Sequence, residues 1–166
     1  MNNRKKWIAV YTKPRHERAV QKKLEDNEFE VYLPMFRKRQ QWSDRKKWVE
    51  FPLFKSYVFI CTYKENHMKI LQTPSLINIV KFGKNIAYID GKTINSIKQI
   101  IQGGFIPETT NYFINGDPVK IKHGPLKGLT GEVVRIDKNN RLLIRINALK
   151  LSISIKIEKK LLEPHN

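Results

Sequence analysis

An α+β unit followed by a small all-β barrel is what the sequence predicts. The two are expected over residues 1–104 and 116–166, with 105–115 as a linker. Three observations carry this expectation. Up to Gly104, segments of period two alternate with segments of helical period. Gly103-Gly104 and an aperiodic stretch holding Pro107, two threonines and two asparagines then interrupt the pattern. From Gly116 onward only short strands and turns remain.

Trp7–Tyr11 reads as a buried strand, and Pro14 suits the first turn of a helix running from Arg15 to about Asn27. Val20 and Leu24 mark its inward side. Arg15, Arg18 and Lys22, three and four apart, form an outward basic stripe. Such a stripe on one helix is ordinarily a solvated face. Glu17, Glu25 and Asp26 read as helix-surface residues. Phe29 to about Gln41 is expected as a strand leading into a hairpin tip, with turn chemistry at Ser43-Asp44. The hairpin carries Arg37, Lys38, Arg39, Arg45, Lys46 and Lys47 against a single acid, Asp44. Trp42 and Trp48 flank its turn. Cross-strand stapling is the favoured role for these indoles; stacking on nucleic-acid bases is the other.

The return strand lies in FPLFKSYVFI, residues 51–60, and is apolar on both faces. Tyr57 and Phe59 share one face with Cys61, while Val58 and Ile60 share the other. Something must therefore cover each side. Lys64–Thr73 is expected as a short helix closed by Pro74. Ile77–Phe82 and Ile86–Ile89 are expected as strands about Gly83-Lys84-Asn85. Thr93–Gln102 is expected as a helix with Ile94, Ile97, Ile100 and Ile101 on one side. The order strand, helix, two long strands, helix, strand predicts a ferredoxin-like sandwich with helices on one sheet face.

In the second unit, Val119-Lys120-Ile121 precedes a loop holding Gly124, Pro125, Gly128 and Gly131. Val133–Ile136, a turn at 137–141 and Leu142–Asn147 follow. Leu151, Ile153, Ile155 and Ile157 then alternate with Ser152, Ser154 and Lys156, which is strong strand patterning. About fifty residues of this kind fit a small closed barrel.

Charge narrows the function. Thirty-two basic residues face 15 acidic ones, for a net +17. Residues 1–104 hold 21 of the basic and 9 of the acidic residues. Such an excess favours a polyanionic partner, nucleic acid first and an acidic membrane surface second. No apolar run is long enough to span a bilayer and no leader pattern opens the chain, so a soluble, cytoplasmic protein is expected. Cys61 is the single cysteine, expected as a core residue in a reducing compartment. His16, His67, His123 and His165 are scattered without ligand spacing. No phosphate loop and no metal-binding carboxylate pattern stands out. The expectation is no enzyme, no catalytic residue, no metal and no cofactor.

Two motifs converge on one resemblance. Val119, Ile121, Gly124, Pro125, Gly128, Gly131, Val133 and Ile136 resemble the KOW motif of the SH3-like barrel in NusG-type factors. Trp7, Tyr11, Thr12–Arg15, Glu17, Val20, Leu24, Pro34, Pro52-Leu53-Phe54, Tyr57-Val58-Phe59 and Phe82-Gly83 resemble the amino-terminal (NGN) domain of the same family. The likeness is greatest to its specialised paralogues, the RfaH-like and UpxY-like antiterminators. Lys55-Ser56 stands where their strand motif has Pro-Gly or Pro-Asn. The resemblance implies a transcription elongation or antitermination factor, monomeric and nucleoid-associated. It implies that Tyr11, Phe54, Tyr57 and Phe59 line a depression docking on the clamp helices of RNA polymerase. His67-Met68-Lys69 would reach the opposite side of the polymerase cleft. It further implies that Lys13, Arg15, Arg18 and Lys22, extended by the basic hairpin, face non-template or upstream DNA. The barrel's implied partner is Rho or a small-subunit ribosomal protein. An RNA-binding ribosomal or ribosome-assembly protein is the alternative that charge and KOW loop also fit.

Overall fold

The computed structural model describes residues 4–111, 116–136 and 139–165. Strand β1 (Lys6–Thr12) is covered on both faces, since Ile8, Ala9 and Val10 are all fully buried. Helix α1 (Glu17–Glu25) starts later than Pro14 suggests. Pro14 and Arg15 form a turn instead, with Arg15 in the left-handed region at φ 65°, which no helix can propagate through.

The strand expected over 29–41 is two strands, β2 (Glu30–Tyr32) and β3 (Met35–Gln41). Pro34 lies at the break. It has no amide to donate to a sheet ladder, and the chain changes sheets there. FPLFKSYVFI is divided in the same way. Phe51 and Pro52 end β4 (Lys46–Pro52), a turn spans Leu53–Ser56, and β5 (Tyr57–Thr62) begins at Tyr57. After it come α2 (His67–Leu71), β6 (Leu76–Ile79), β7 (Lys81–Phe82), β8 (Asn85–Ile86), β9 (Tyr88–Ile89) and α3 (Gly91–Gln102). Asp90 caps α3, its carboxylate accepting from the Lys92 amide at 3.0 Å.

The main sheet runs β2-β5-β1-β6, with β9 also on β1, all antiparallel. Register pairs Trp7 with Cys61, Ala9 with Phe59 and Tyr11 with Tyr57, so these six share one face. Ile8, Val10, Val58 and Ile60 share the other. Helices α1 and α2 cover that second face through Val20, Leu24 and Ile70. Helix α3 covers the first through Ile94, Ile97 and Ile100, and its Lys98 ammonium lies over the rings of Trp7 and Tyr32. Helices thus occupy both sheet faces, which corrects the expectation of one. The central strands are apolar on both sides, so each side needs a cover. Strands β3 and β4 leave the sheet as a separate hairpin.

The second sheet is antiparallel in the order β10-β14-β13-β12-β11-β15. Its strands are β10 (Glu108–Asn111), β11 (Asp117–Ile121), β12 (Thr130–Ile136), β13 (Asn139–Ile146), β14 (Leu151–Lys156) and β15 (Leu162–Pro164). Part of the stretch expected as a linker, 105–115, is therefore strand β10, paired along β14; residues 112–115 lie outside the described residues. The turn expected at 137–141 includes two residues, 137 and 138, that also lie outside them. Ser152 and Ser154 are as buried as the neighbouring Ile153 and Ile155. Arg141 covers their face, donating to Ser154 Oγ and pairing with Glu108 at 2.7 Å. Gly131 is demanded by close approach, because a Cβ there would stand 2.5 Å from the Leu143 carbonyl oxygen.

The two sheets share one apolar cluster. Ile97 and Ile100 of α3 belong to the same cluster as Leu126, Leu149 and Ile146 of the second unit. Gln99 Nε2 donates to the carbonyls of Pro125 and Lys127, at 3.3 and 3.2 Å. Lys150 lies over the Phe82 ring, 4.9 Å from its centre.

Candidate functional site

Four of the aromatics singled out in the sequence come together beside β1 and β5. Tyr11 and Tyr57 meet edge to face with ring centres 5.2 Å apart. Phe54 meets Phe59 at 5.7 Å and 85°, and Tyr32 stacks on Phe59 at 6.4 Å. Their burial differs. Phe54 and Phe59 are 2% and 0% exposed, sealed by the chain's own side chains. Tyr11 and Tyr57 are half-buried and open onto a recess of about 500 Å³ shared with Asn78, Val80 and Lys81. Burial, reinforced by the neighbouring Tyr11, raises the Tyr57 phenol above its ordinary value, so the Tyr57 hydroxyl remains a neutral donor at neutral pH.

The turn that delivers Tyr57 is held from two sides. Ser56 adopts φ 64°; its amide donates to Glu17 Oε1 at 2.7 Å and its carbonyl accepts from the Thr12 amide at 2.8 Å. Glu17 is therefore buried, which corrects its reading as a surface residue. The signal was present in its spacing. Glu17, Val20 and Leu24 fall at i, i+3 and i+7, so the carboxylate belongs to the inward stripe.

His67 lies elsewhere. It is on α2, whose Ile70 packs against the opposite sheet face from Tyr57. Its ring is buried, Nε2 has no hydrogen-bond partner, and burial aided by Lys64 pushes its pKa down. The next two residues, Met68 and Lys69, are exposed to solvent, Met68 at 70%.

One acid, Glu50, links the two groups of basic residues. Lys13, Arg15, Arg18 and Lys22 are all exposed on or beside α1. Glu50 of β4 joins this helix to the hairpin, with Arg18 Nη2 at 2.5 Å and Arg37 Nε at 2.9 Å from its two oxygens. Those two guanidiniums hold the Glu50 carboxyl below its usual range, Arg37 first and then Arg18. Lys38, Arg39, Arg45, Lys46 and Lys47 are exposed along the same hairpin. Its turn is closed by the Trp42 amide donating to the Arg45 carbonyl at 2.8 Å. The tryptophans do not staple it. Trp48 stands opposite Arg39, Trp42 lies beyond the paired residues, and they are 63% and 54% exposed. The cross-strand aromatic pair is Phe36 with Phe51, which sequence reading passed over because two residues so far apart reveal no register.

In the second unit, Gly124 and Gly128 sit at φ 83° and 85°, while Leu126 between them is buried in the shared core. Pro125 and Lys127 offer the carbonyls that Gln99 grips. Among the described residues no cluster of side chains could hold a metal ion, and no helix is long and apolar enough to cross a membrane.

The family model described as "Transcription termination factor nusG" matches residues 5–98, the segment that builds the main sheet, the hairpin, α1, α2 and the first two turns of α3. The chain belongs to the NusG family. Members are non-enzymatic transcription elongation factors that work with RNA polymerase. Among solved structures, one titled "Domain interaction in Thermotoga maritima NusG" aligns over 98% of this chain and 98% of its own, with TM-score 0.57 and 19% identity. That likeness is one of fold. Conformations A and B of the MjSpt4:Spt5 complex align over 96% and 95% of this chain and 98% and 95% of their own. Their TM-scores of 0.31 and 0.30, at 18% and 20% identity, add no structural argument. No curated protein matches the chain.

Proposed function

We propose that this NusG-family chain is a specialised paralogue that suppresses pausing or termination by bridging RNA polymerase and nearby DNA. The observation that carries the reading is the Tyr11–Tyr57 pair, left half-open beside a recess while Phe54 and Phe59 of the same domain are sealed. Rigid aromatic rings with a polar tip are effective interface anchors. The clamp helices of the polymerase are the proposed occupant. Phe54 and Phe59 support the site from beneath by fixing the two tyrosines. His67 and its neighbours Met68 and Lys69 are the proposed contact to the opposite side of the cleft, with Met68 and Lys69 the exposed members.

Lys13, Arg15, Arg18, Lys22 and the hairpin cations then face the non-template strand or upstream DNA. Bridging acts by population shift: a factor that binds only the closed clamp favours closure by its binding free energy. The second unit, with Gly124, Pro125, Gly128 and Gly131 shaping its loop as in a KOW barrel, recruits Rho or a small-subunit ribosomal protein. The chain acts as a monomer at the nucleoid.

An elongation assay with the cognate polymerase tests this reading. Wild-type protein is expected to shorten pauses, and Tyr11→Ala/Tyr57→Ala is expected to abolish the effect while remaining folded. A double variant that still shortens pauses would overturn the docking assignment.

A further inference from the structure

The hairpin has a second face that the docking reading does not use. Phe36 and Phe51 pair across its strands there, ring centres 6.1 Å apart and planes at 37°, both half-buried. The chain just after α3 passes in front of them, presenting Ile106 at 49% exposure. Between lies a groove of about 570 Å³, apolar at its floor and rimmed by Lys38, Arg39 and Lys55. The acid on this rim, Glu108, is already held by Arg141 at 2.7 Å, so the cations are not neutralised locally. The chain as a whole carries a net charge of +17, which favours an anionic occupant.

An occupant must offer flat apolar rings to the floor and anions to the rim. Nucleic acid offers both only where its bases are unstacked, because a duplex keeps its rings inside and presents phosphates alone. We propose that this groove binds single-stranded nucleic acid, with bases against Phe36 and Phe51 and the flanking phosphates on Lys38, Arg39 and Lys55. The assignment rests on the reading of the hairpin as a nucleic-acid surface and names the form it takes. The site is separate from the Tyr11–Tyr57 recess, which shares none of its lining residues.

Fluorescence anisotropy with the full chain tests it, using labelled oligothymidylate and a duplex of equal length over a salt series. Phe36→Leu/Phe51→Leu keeps apolar volume and removes the π faces. It is expected to weaken single-strand binding roughly tenfold, to leave duplex binding unchanged and to leave the salt slope unchanged. Lys38→Ala/Arg39→Ala is expected to reduce the slope of log K against log salt by about one to two. If the Leu variant binds the single strand as wild type does while the Ala variant is weakened, the groove is refuted and the basic hairpin stands. If neither variant loses affinity, both readings fall. Equal losses on duplex and single strand, or displacement of the oligonucleotide by an acidic aromatic peptide at equal concentration, would also overturn the proposal.

Discussion

Glu17 places a buried carboxylate on one backbone amide, that of Ser56, and this fixes where β5 begins. A charge-assisted bond of this kind contributes about 1.5–3 kcal/mol, and removing one partner strands the other. Glu17→Ala is therefore expected to cost about 2 kcal/mol in urea unfolding, and Glu17→Gln less, since the amide oxygen can still accept. His67 gives a pH-dependent counterpart. Its folded pKa is depressed by burial, so the unfolded chain binds the proton more readily. Its contribution to stability is complete above the unfolded value of about 6.5 and is lost as pH falls through it toward the folded value. The urea midpoint is expected to drop between pH 7.5 and 5.5, and His67→Gln to drop less. Equal drops would show that the ring's burial is not linked to folding. Phe59, paired opposite Ala9 at 0% exposure, is a core residue in energetic terms; Phe59→Ala is expected to destabilise by about 3–5 kcal/mol. A loss of function in that variant would not by itself identify a docking residue.

At the scale of elements, periodicity was readable wherever one rule governed a segment. The isoleucines of α3 and the alternation through β14 fall where their spacing predicts. What escaped prediction turned on partners distant in sequence. Pro34 ends β2 because the neighbouring ladder belongs to β5, almost thirty residues on, and a period-two pattern continues through the break unchanged. Residues 108–111 carry no apolar alternation, yet they form β10 because β14 has an edge to be paired. Glu17 has the residue type of a surface position but the spacing of an inward one. The hairpin's cations were visible as composition. Its Phe36–Phe51 pair and the exposure of Trp42 and Trp48 depend on register, which composition does not contain. The exposed indoles give the hairpin a spectroscopic handle. Single-stranded DNA is expected to quench the fluorescence of the wild-type chain, and Trp42→Phe/Trp48→Phe to remove most of that change. Quenching carried by Trp7 alone would contradict a hairpin site.

For the whole molecule, the main feature is one apolar cluster that runs from α3 into the second unit. Isolating residues 1–104 would uncover Ile97 and Ile100, whose sides meet that cluster. The full chain is accordingly expected to unfold in a single denaturant transition, followed by both tryptophan fluorescence and circular dichroism. Two resolved transitions would mean that the shared cluster does not couple the units. Helix α3 covers part of the aromatic face, and Tyr11 and Tyr57 line a recess beside it. The most direct test is the equilibrium affinity of the full chain for purified cognate RNA polymerase, compared with Tyr11→Ala/Tyr57→Ala and with folding verified by circular dichroism. A loss of at least tenfold in a folded double variant is the predicted result. Unchanged affinity would place the polymerase contact on another surface.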